Sequence, residues 1–541
     1  MRQPPSFYRC LLCTSLTVLA LPAHADDKVE EVVVTASRVE KPLSTIPNTV
    51  TVIDQAALAQ QLSIQNDLSS VLGKLIPSFS PARQKMTNAG ETLRGRKPLY
   101  LIDGIPQSNP LRSGGRDGHT ISPLMLERVE VLHGANAIHG LGAAGGIINL
   151  ITKRPTETLE QSLRVDVGFQ TERVSESLNR GVHYSVSNRI DQFDVLASVG
   201  FRDNGIAYDA NGEVIGVDNT QGDTMASEQY DVFLKTGYNW NDQRVELMVN
   251  RFNVESDHKW TSVPGDVDAD IPTTAIRAEL PAEGARNRVT TIGISYENPE
   301  ILGHSLRVQA FKQDFEATYG AQITPIATFQ DPAYGPDLID QSQNNSEKIG
   351  AKITLAKDQV GGLPLSLVYG IDILQDKTWQ ELVQTGRAWV PETRYNNYAP
   401  YLQAEFTGIE HVTLTAGVRH EESKLDVDDF TTLFRYGSQF VKGGAPDFSE
   451  TLYNIGGTYQ FTERWRAFAN YAEAFSMPDV GRVLRGIDQP DQDVESFLNL
   501  QPILTENSEL GVEYDNGTVN AQLSYYVSDS DFGQRLQRGA D

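Results

Sequence analysis

Cysteine is almost absent from this chain. Its two examples in 541 residues are Cys10 and Cys13. Both lie in a leader where Arg2 and Arg9 precede the apolar run Leu16 to Leu21, and Ala23-His24-Ala25 has the small-x-small form of a cleavage site. Cleavage before Asp26 would leave a mature chain without disulfides or thiol chemistry. Neither cysteine is placed for a lipoprotein anchor. Positive charge is scarce as well: 46 Lys and Arg stand against 71 Asp and Glu, a net charge of −25 that becomes −27 once Arg2 and Arg9 leave. That balance repels phosphates and excludes a nucleic-acid partner. Acidic outer loops are its ordinary source, so an anionic ligand would rely on local basic clusters. Long apolar runs are also missing. Beyond the leader none approaches the roughly 20 residues a membrane helix needs, and the mean hydropathy is −0.35. A helical membrane protein is therefore excluded. A transmembrane β-barrel is not, because its strands alternate lipid-facing and lumen-facing residues and so average polar.

What is present begins with an extended, β-branched segment, Lys28 to Arg38, directly after the cleavage point. From about Pro47 to Pro155 the pattern is mixed. Ile64, Leu68, Val71, Leu72 and Leu75 share one helix face, and Pro77 stops the helix. Leu99 to Ile102 reads as a buried strand with Asp103-Gly104 turning the chain after it. Glu127 to Pro155 then runs from an alternating strand through a glycine- and alanine-dense turn into a β-branched strand. Gly140, Gly142 and Gly145 satisfy G-x-G-x-x-G, but a dinucleotide site needs a helix next, and Gly146 to Thr152 has strand composition. Beyond Leu163 the period is two. Leu163, Val165, Val167 and Phe169 alternate with polar residues, as do Val412 to Val418 and Ala521 to Val527. Asp/Asn/Gly-rich stretches such as Asp203 to Asp223 and Asp426 to Phe448 read as long external loops.

The motifs Leu93-Arg94-Gly95-Arg96 through Pro106 and Glu127 to Pro155, followed by a long alternating region, resemble the plug and barrel of TonB-dependent outer-membrane receptors. The resemblance implies a membrane all-β fold: a large antiparallel transmembrane β-barrel, 22-stranded when complete, with an N-terminal α+β plug in its lumen. The expected organisation is a signal peptide (1–25), a TonB box and linker (26–46), the plug (47–155) and the barrel (163–541). At about 20 to 25 residues per strand, residues 163–541 supply roughly 15 to 19 strands, short of the about 22 of plugged transporters. The final residues lack the terminal aromatic typical of such barrels. The chain is therefore expected to be a truncated gene product or a defective allele.

Glu31, Val32, Val33, Val34, Thr35 and Ala36 resemble the TonB box, which can add itself as a strand to a partner's sheet edge. An edge strand of the next domain is the alternative. So few residues precede this box that no N-terminal signalling domain is expected. The family's plug-to-barrel latch maps onto Arg94 with Glu473 and Glu509, with His133 where the family often has a second arginine. Leu75-Ile76-Pro77, Met86-Thr87-Asn88, Arg94-Gly95-Arg96, Asp218-Asn219 and Pro478 to Arg482 resemble receptors for ferric aerobactin and related citrate-hydroxamate siderophores. For such a bulky anion, apical donors and cations are expected from Arg83, Gln84, Lys85, Gln107, Asn109, Arg112 and Arg116. Outer-loop candidates are Trp260, Trp379, Arg387, Trp389, Arg394 and Tyr395.

The resemblance implies TonB-dependent import of a ferric siderophore across the bacterial outer membrane. The expected partners are TonB with its inner-membrane energising complex, the ferric siderophore, outer-membrane lipid and the barrel assembly machinery, around a monomer. Cobalamin, haem or another chelate is the alternative cargo; a passive barrel and a non-functional fragment are the alternatives of other classes. No enzyme is expected, since no nucleophile stands with a base. No resident cofactor or metal is expected either. Asp266, Asp268 and Asp270 start like a calcium loop, but Ile271 and Arg277 occupy the positions that need Gly and Glu.

Overall fold

A computed structural model describes residues 33–35, 38–109, 111, 115–278, 280–497 and 502–531. The leader, Glu31, Val32, Ala36, Arg112 and the C-terminal residues lie outside the described residues.

The N-terminal unit is built on a five-stranded sheet. Its strands are β1 (Val50–Ile53), β2 (Leu99–Ile102), β3 (Ile105–Pro106), β4 (Leu126–His133) and β5 (Gly146–Thr152). The spatial order is β1-β4-β5-β2-β3, with β2 and β5 parallel and the other pairs antiparallel. Two helices, α1 (Gln55–Leu62) and α2 (Leu68–Leu75), pack on it, each opened by an aspartate whose carboxylate accepts from a first-turn N–H, Asp54 from Ala57 and Asp67 from Ser70. The expected helical stripe holds from Leu68 onward. Ile64, however, is 69% exposed and sits in the connection between the helices, because the Asp67 cap starts a new helix rather than continuing one. Gly142, at φ +81°, turns the chain into a single 3₁₀ turn (Ala143–Gly145) that leads straight into β5. No helix N-terminus follows the glycines, and the dinucleotide reading fails on geometry.

Fifteen antiparallel strands then form one sheet in chain order. They are β6 (Glu160–Gly168), β7 (Asn179–Ile190), β8 (Phe193–Asn204), β9 (Ser227–Trp240), β10 (Gln243–Ser256), β11 (Arg286–Ile301), β12 (His304–Thr318), β13 (Ser342–Lys357), β14 (Leu365–Leu382), β15 (Arg387–Ile409), β16 (Val412–Val427), β17 (Asp447–Thr462), β18 (Trp465–Ser476), β19 (Ile503–Asp515) and β20 (Asn520–Ser530). Turns as short as two residues, such as 241–242 and 410–411, alternate with connections as long as 257–285 and 477–502. The sheet wraps the N-terminal unit from its first strand to its last. Arg164 of β6 donates to the Leu62 carbonyl at 2.9 Å, and Arg96 donates to Ser528 of β20 at 2.5 Å. β6 and β20 are its two edges and do not pair with each other. The described residues thus hold 15 barrel strands, not the 22 expected of a complete barrel.

The period-two pattern sorts the two faces. Leu163, Val165, Ile294, Leu414 and Leu523 are exposed on the outer face, a surface that suits hydrocarbon. Near the short turns a belt of rings covers the same face: Phe193 on Tyr238 at 4.7 Å, Tyr238 on Trp240 at 5.5 Å, and Trp465 on Tyr514 at 4.9 Å. Amphipathic rings at that height mark a membrane interface. The inner face carries polar residues together with Leu196, Phe233, Met248 and Phe311, which complete the core formed by α1, α2 and β4. Burying each such side chain contributes roughly 1.5–3 kcal/mol, so the two units share a core.

Candidate functional site

The plug meets the barrel at two seams. At the first, the turn Leu93-Arg94-Gly95-Arg96 projects two arginines side by side, with Arg94 at φ +52° and Gly95 at φ +80°. Arg94 donates to Glu509 of β19 at 2.6 Å and lies over the Tyr526 ring at 4.3 Å. Thr49 donates to the same carboxylate at 2.5 Å. Both members of this ion pair are buried, so removing one would strand the other's charge. His133 contacts Thr51 and Ser78 at 3.0 and 3.1 Å. Burial and the nearby Arg94 hold its pKa down to about 3, so it is a neutral bridge and not a second cation. Glu473 is not part of the latch. It takes the opposite face of β18 from the buried Ala472 and Ala474, and bonds the Tyr453 N–H and the Tyr471 hydroxyl.

From Arg94 the seam continues backward along the strap Arg38 to Thr49, which crosses successive barrel strands. Arg38 donates twice to Asp372 of β14, at 2.7 and 2.5 Å, and Lys41 pairs with Glu405 of β15 at 2.5 Å. Arg466 of β18 donates to the carbonyls of Leu43, Ser44 and Ile46, and Asn470 donates to that of Pro47. Arg419 of β16 shares Asp372 at 2.9 Å and also binds Glu421 at 2.6 Å. The segment before the strap is docked too. Val33–Val34 pairs with Lys41–Pro42, and the Thr35 N–H donates to the fully buried Glu130 at 2.9 Å.

The second seam grips the hairpin Asp103 to Ser108. Lys235 pairs with Asp103 at 3.0 Å, and Lys352 donates to the Gly104 carbonyl at 2.7 Å. Lys348 donates to the Pro106 and Ser108 carbonyls, and Gln313 to Gln107 at 2.6 Å. Burial alone would raise the Asp103 pKa, but Lys235 and Thr152 hold it below the usual range. No sequence motif announces this seam or the Arg38–Asp372 pair. A weaker signal exists: Arg419 and Glu421 share the parity opposite the apolar Leu414 and Val418 that mark the outer face.

The structure does not gather the expected ligand residues into one pocket. Lys85 lines a recess of about 780 Å³ under the long connections together with Asn219, Thr261 and Gln322, while its ammonium pairs with Asp223 at 2.5 Å. Arg83 donates to the Ala89 carbonyl and Gln84 offers its carbonyl to Thr224. Gln107 is spent on Gln313. Asn109 lines a lumenal cavity. Arg116 is 1% exposed, over Tyr319 and donating to Asn287 at 2.8 Å, and burial pulls its pKa down. Five of the six outer-loop candidates take structural roles or face away from the lumen. Trp260 is buried in a small apolar core with Ile206 and Tyr208, which joins its connection, 257–285, to the connection 205–226. Trp379 and Arg394 fall on the outer parity of β14 and β15, beside Lys377 and Glu392. Arg387 is consumed by Asp340 and Asp331. Tyr395 is buried against Phe448 and bonds Ser423 at 2.8 Å. Trp389 carries Arg485 over its ring at 3.9 Å, with Phe329 on its edge.

Comparison with known proteins agrees with this two-part architecture. Residues 42–147 match the TonB-dependent Receptor Plug Domain, and residues 207–537 match the family described as TonB dependent receptor-like, beta-barrel. Among curated relatives, the rhizobactin receptor of Rhizobium meliloti (strain 1021) is 26% identical over 96% of this chain and 75% of its own length. The ferric aerobactin receptor of Klebsiella pneumoniae is 25% identical over 95% of this chain and 75% of its own. Among solved structures, the unliganded ferric citrate transporter FecA superposes with a TM-score of 0.68 at 15% identity, covering 90% of this chain and 70% of that one.

Proposed function

Since the chain belongs to the TonB-dependent receptors and so to the outer membrane, we propose that it imports a ferric siderophore of the citrate-hydroxamate class. The observation that carries this reading is a plug held against the inner face of the barrel sheet along two seams while its N-terminal segment is docked at Glu130. Ligand bound among the apex and long connections would release residues 31–36. TonB would then add that segment to its own sheet edge and pull, drawing on the inner-membrane energising complex. The relatives' aerobactin and rhizobactin ligands support the cargo class. Iron travels only inside the ligand, with no resident cofactor and no bond broken. Outer-membrane lipid, the barrel assembly machinery for insertion and a monomeric state complete the proposal, as does removal of residues 1–25 during export.

The test is uptake of radio-iron as ferric aerobactin by iron-starved cells carrying the receptor, with and without residues 28–38. Uptake that disappears with the deletion supports energised transport of this class. Uptake that survives it would mean passive diffusion, and no uptake by an inserted receptor would discard the cargo.

A further inference from the structure

Two cavities lie between the plug and one wall of the barrel. The upper, of about 460 Å³, is lined near the long connections by Asn109 and Met477 and reaches down to Asp372 and Arg419. The lower, of about 330 Å³, opens toward the short-turn end among Asp194, Arg244 and Arg307. Both volumes fall within the roughly 300–1,000 Å³ that holds a small molecule. Two residues, His139 and Lys352, line both cavities. What separates the cavities is a brace: Arg38 reaches from the strap to Asp372 and to the Ile138 carbonyl at 2.7 Å, and Arg419 closes on the same two groups from the wall at 2.9 and 3.3 Å.

Resting on the transport reading above, we propose that the chelate's route runs along this wall through the waist at His139 and Lys352, and that Arg38 is the gate residue across it. Arg38 follows the segment that TonB would pull by two residues. Traction there loads its bonds before any other in the strap, and withdrawing it joins the cavities. The waist then retains Arg419 and Lys352 against Asp372 and Glu421, a balanced set. A bulky anion would meet no net repulsion there, although the chain as a whole carries −25. Farther up β10, whose Arg244 lines the lower cavity, the wall offers no such way through. Asn250 of β10 is 1% exposed and donates to the Thr120 carbonyl of the plug at 2.8 Å.

With no cysteine after Cys13, single-site labelling tests the route without ligand or TonB. Lys352→Cys and Asn250→Cys, each in the full chain in isolated outer membranes, are treated with a small maleimide, with and without Arg38→Gln. Arg38→Gln should speed labelling at Lys352→Cys by roughly tenfold, since access follows the population of the locally open state, and leave Asn250→Cys protected. Arg38→Lys, which keeps the cation, should restore slow labelling and so exclude misfolding as the cause. An unchanged rate at Lys352→Cys, or an equal rise at both positions, would overturn the gate. Ferric aerobactin uptake by the unmutated receptor, measured in parallel, reports on the cargo alone; the labelling rates decide the gate whether or not that chelate is taken up.

Discussion

Along the hairpin Asp103 to Ser108 the barrel holds the plug with buried lysines and glutamines aimed mainly at main-chain carbonyls. Along the strap Arg38 to Thr49 it holds through ion pairs and single donors set one after another on β14, β15, β18 and β19. A force on the N-terminus reaches the strap's bonds in series, Arg38 first and Thr49 last. The hairpin's bonds converge on five residues from three strands, β9, β12 and β13, and are loaded together. The strap is suited to peel while the hairpin stays fixed. Glu509 joins the two behaviours, because it accepts both from Thr49 at the strap's end and from Arg94 of the plug body.

The largest break in this comparison should come from Asp372→Asn. It leaves Arg38 and Arg419 buried around a neutral amide, a loss expected at about 3 to 5 kcal/mol. The readout is the urea midpoint at which protease gains access to the strap, with the barrel's own midpoint unchanged. At the other seam, Lys348→Met removes one donor from the Pro106 and Ser108 carbonyls and Gln313. A cost of about 2 to 4 kcal/mol follows from the acceptors left unpaired. It should appear in unfolding of the whole plug, and if it loosened the strap instead, the two seams would not be mechanically distinct.

The smallest effect touches neither seam. Glu91 lies in the plug interior, where burial, with Asp67 and Asp117 adding to it against Ser69 and Arg83, raises its pKa from 4.5 to about 7. The folded plug keeps this proton at pH values where the unfolded chain has lost it. Its contribution is therefore complete below about pH 4.5 and disappears as pH rises through 7, a change on the order of 1 to 3 kcal/mol. Glu91→Gln should flatten that slope and stabilise the plug at pH 8 while changing little at pH 4.5, as read from urea midpoints across that range.

Much of the architecture is legible in the sequence. The alternation at Leu163 to Phe169 and at Val412 to Val418 reports a sheet with one apolar face because successive residues of a strand must point to opposite sides. The partner of Arg94 is legible in Glu509, yet the motif around Glu473 points to the wrong face because a local motif carries no register. Trp379 and Arg394 fail for the same reason. Counting parity outward from Ile373 and Leu402, both exposed on the outer face, sends Arg394 and Trp379 to the lipid side. Trp260 fails differently: two long connections, 205–226 and 257–285, build a small core around it, and no local pattern announces that.

By itself the sequence determined the family, the order of plug and barrel, and the membrane-facing stripe, since each depends on neighbours within a few residues. Tertiary structure alone decided the charge pairings that no motif announces. Arg38 and Asp372 are separated by 334 positions, and only the wrapping of the sheet around the plug brings them within bonding distance. In the buried lumen such a pair persists only where geometry lets each charge satisfy the other, a condition that depends on strand register and sheet curvature across the whole molecule.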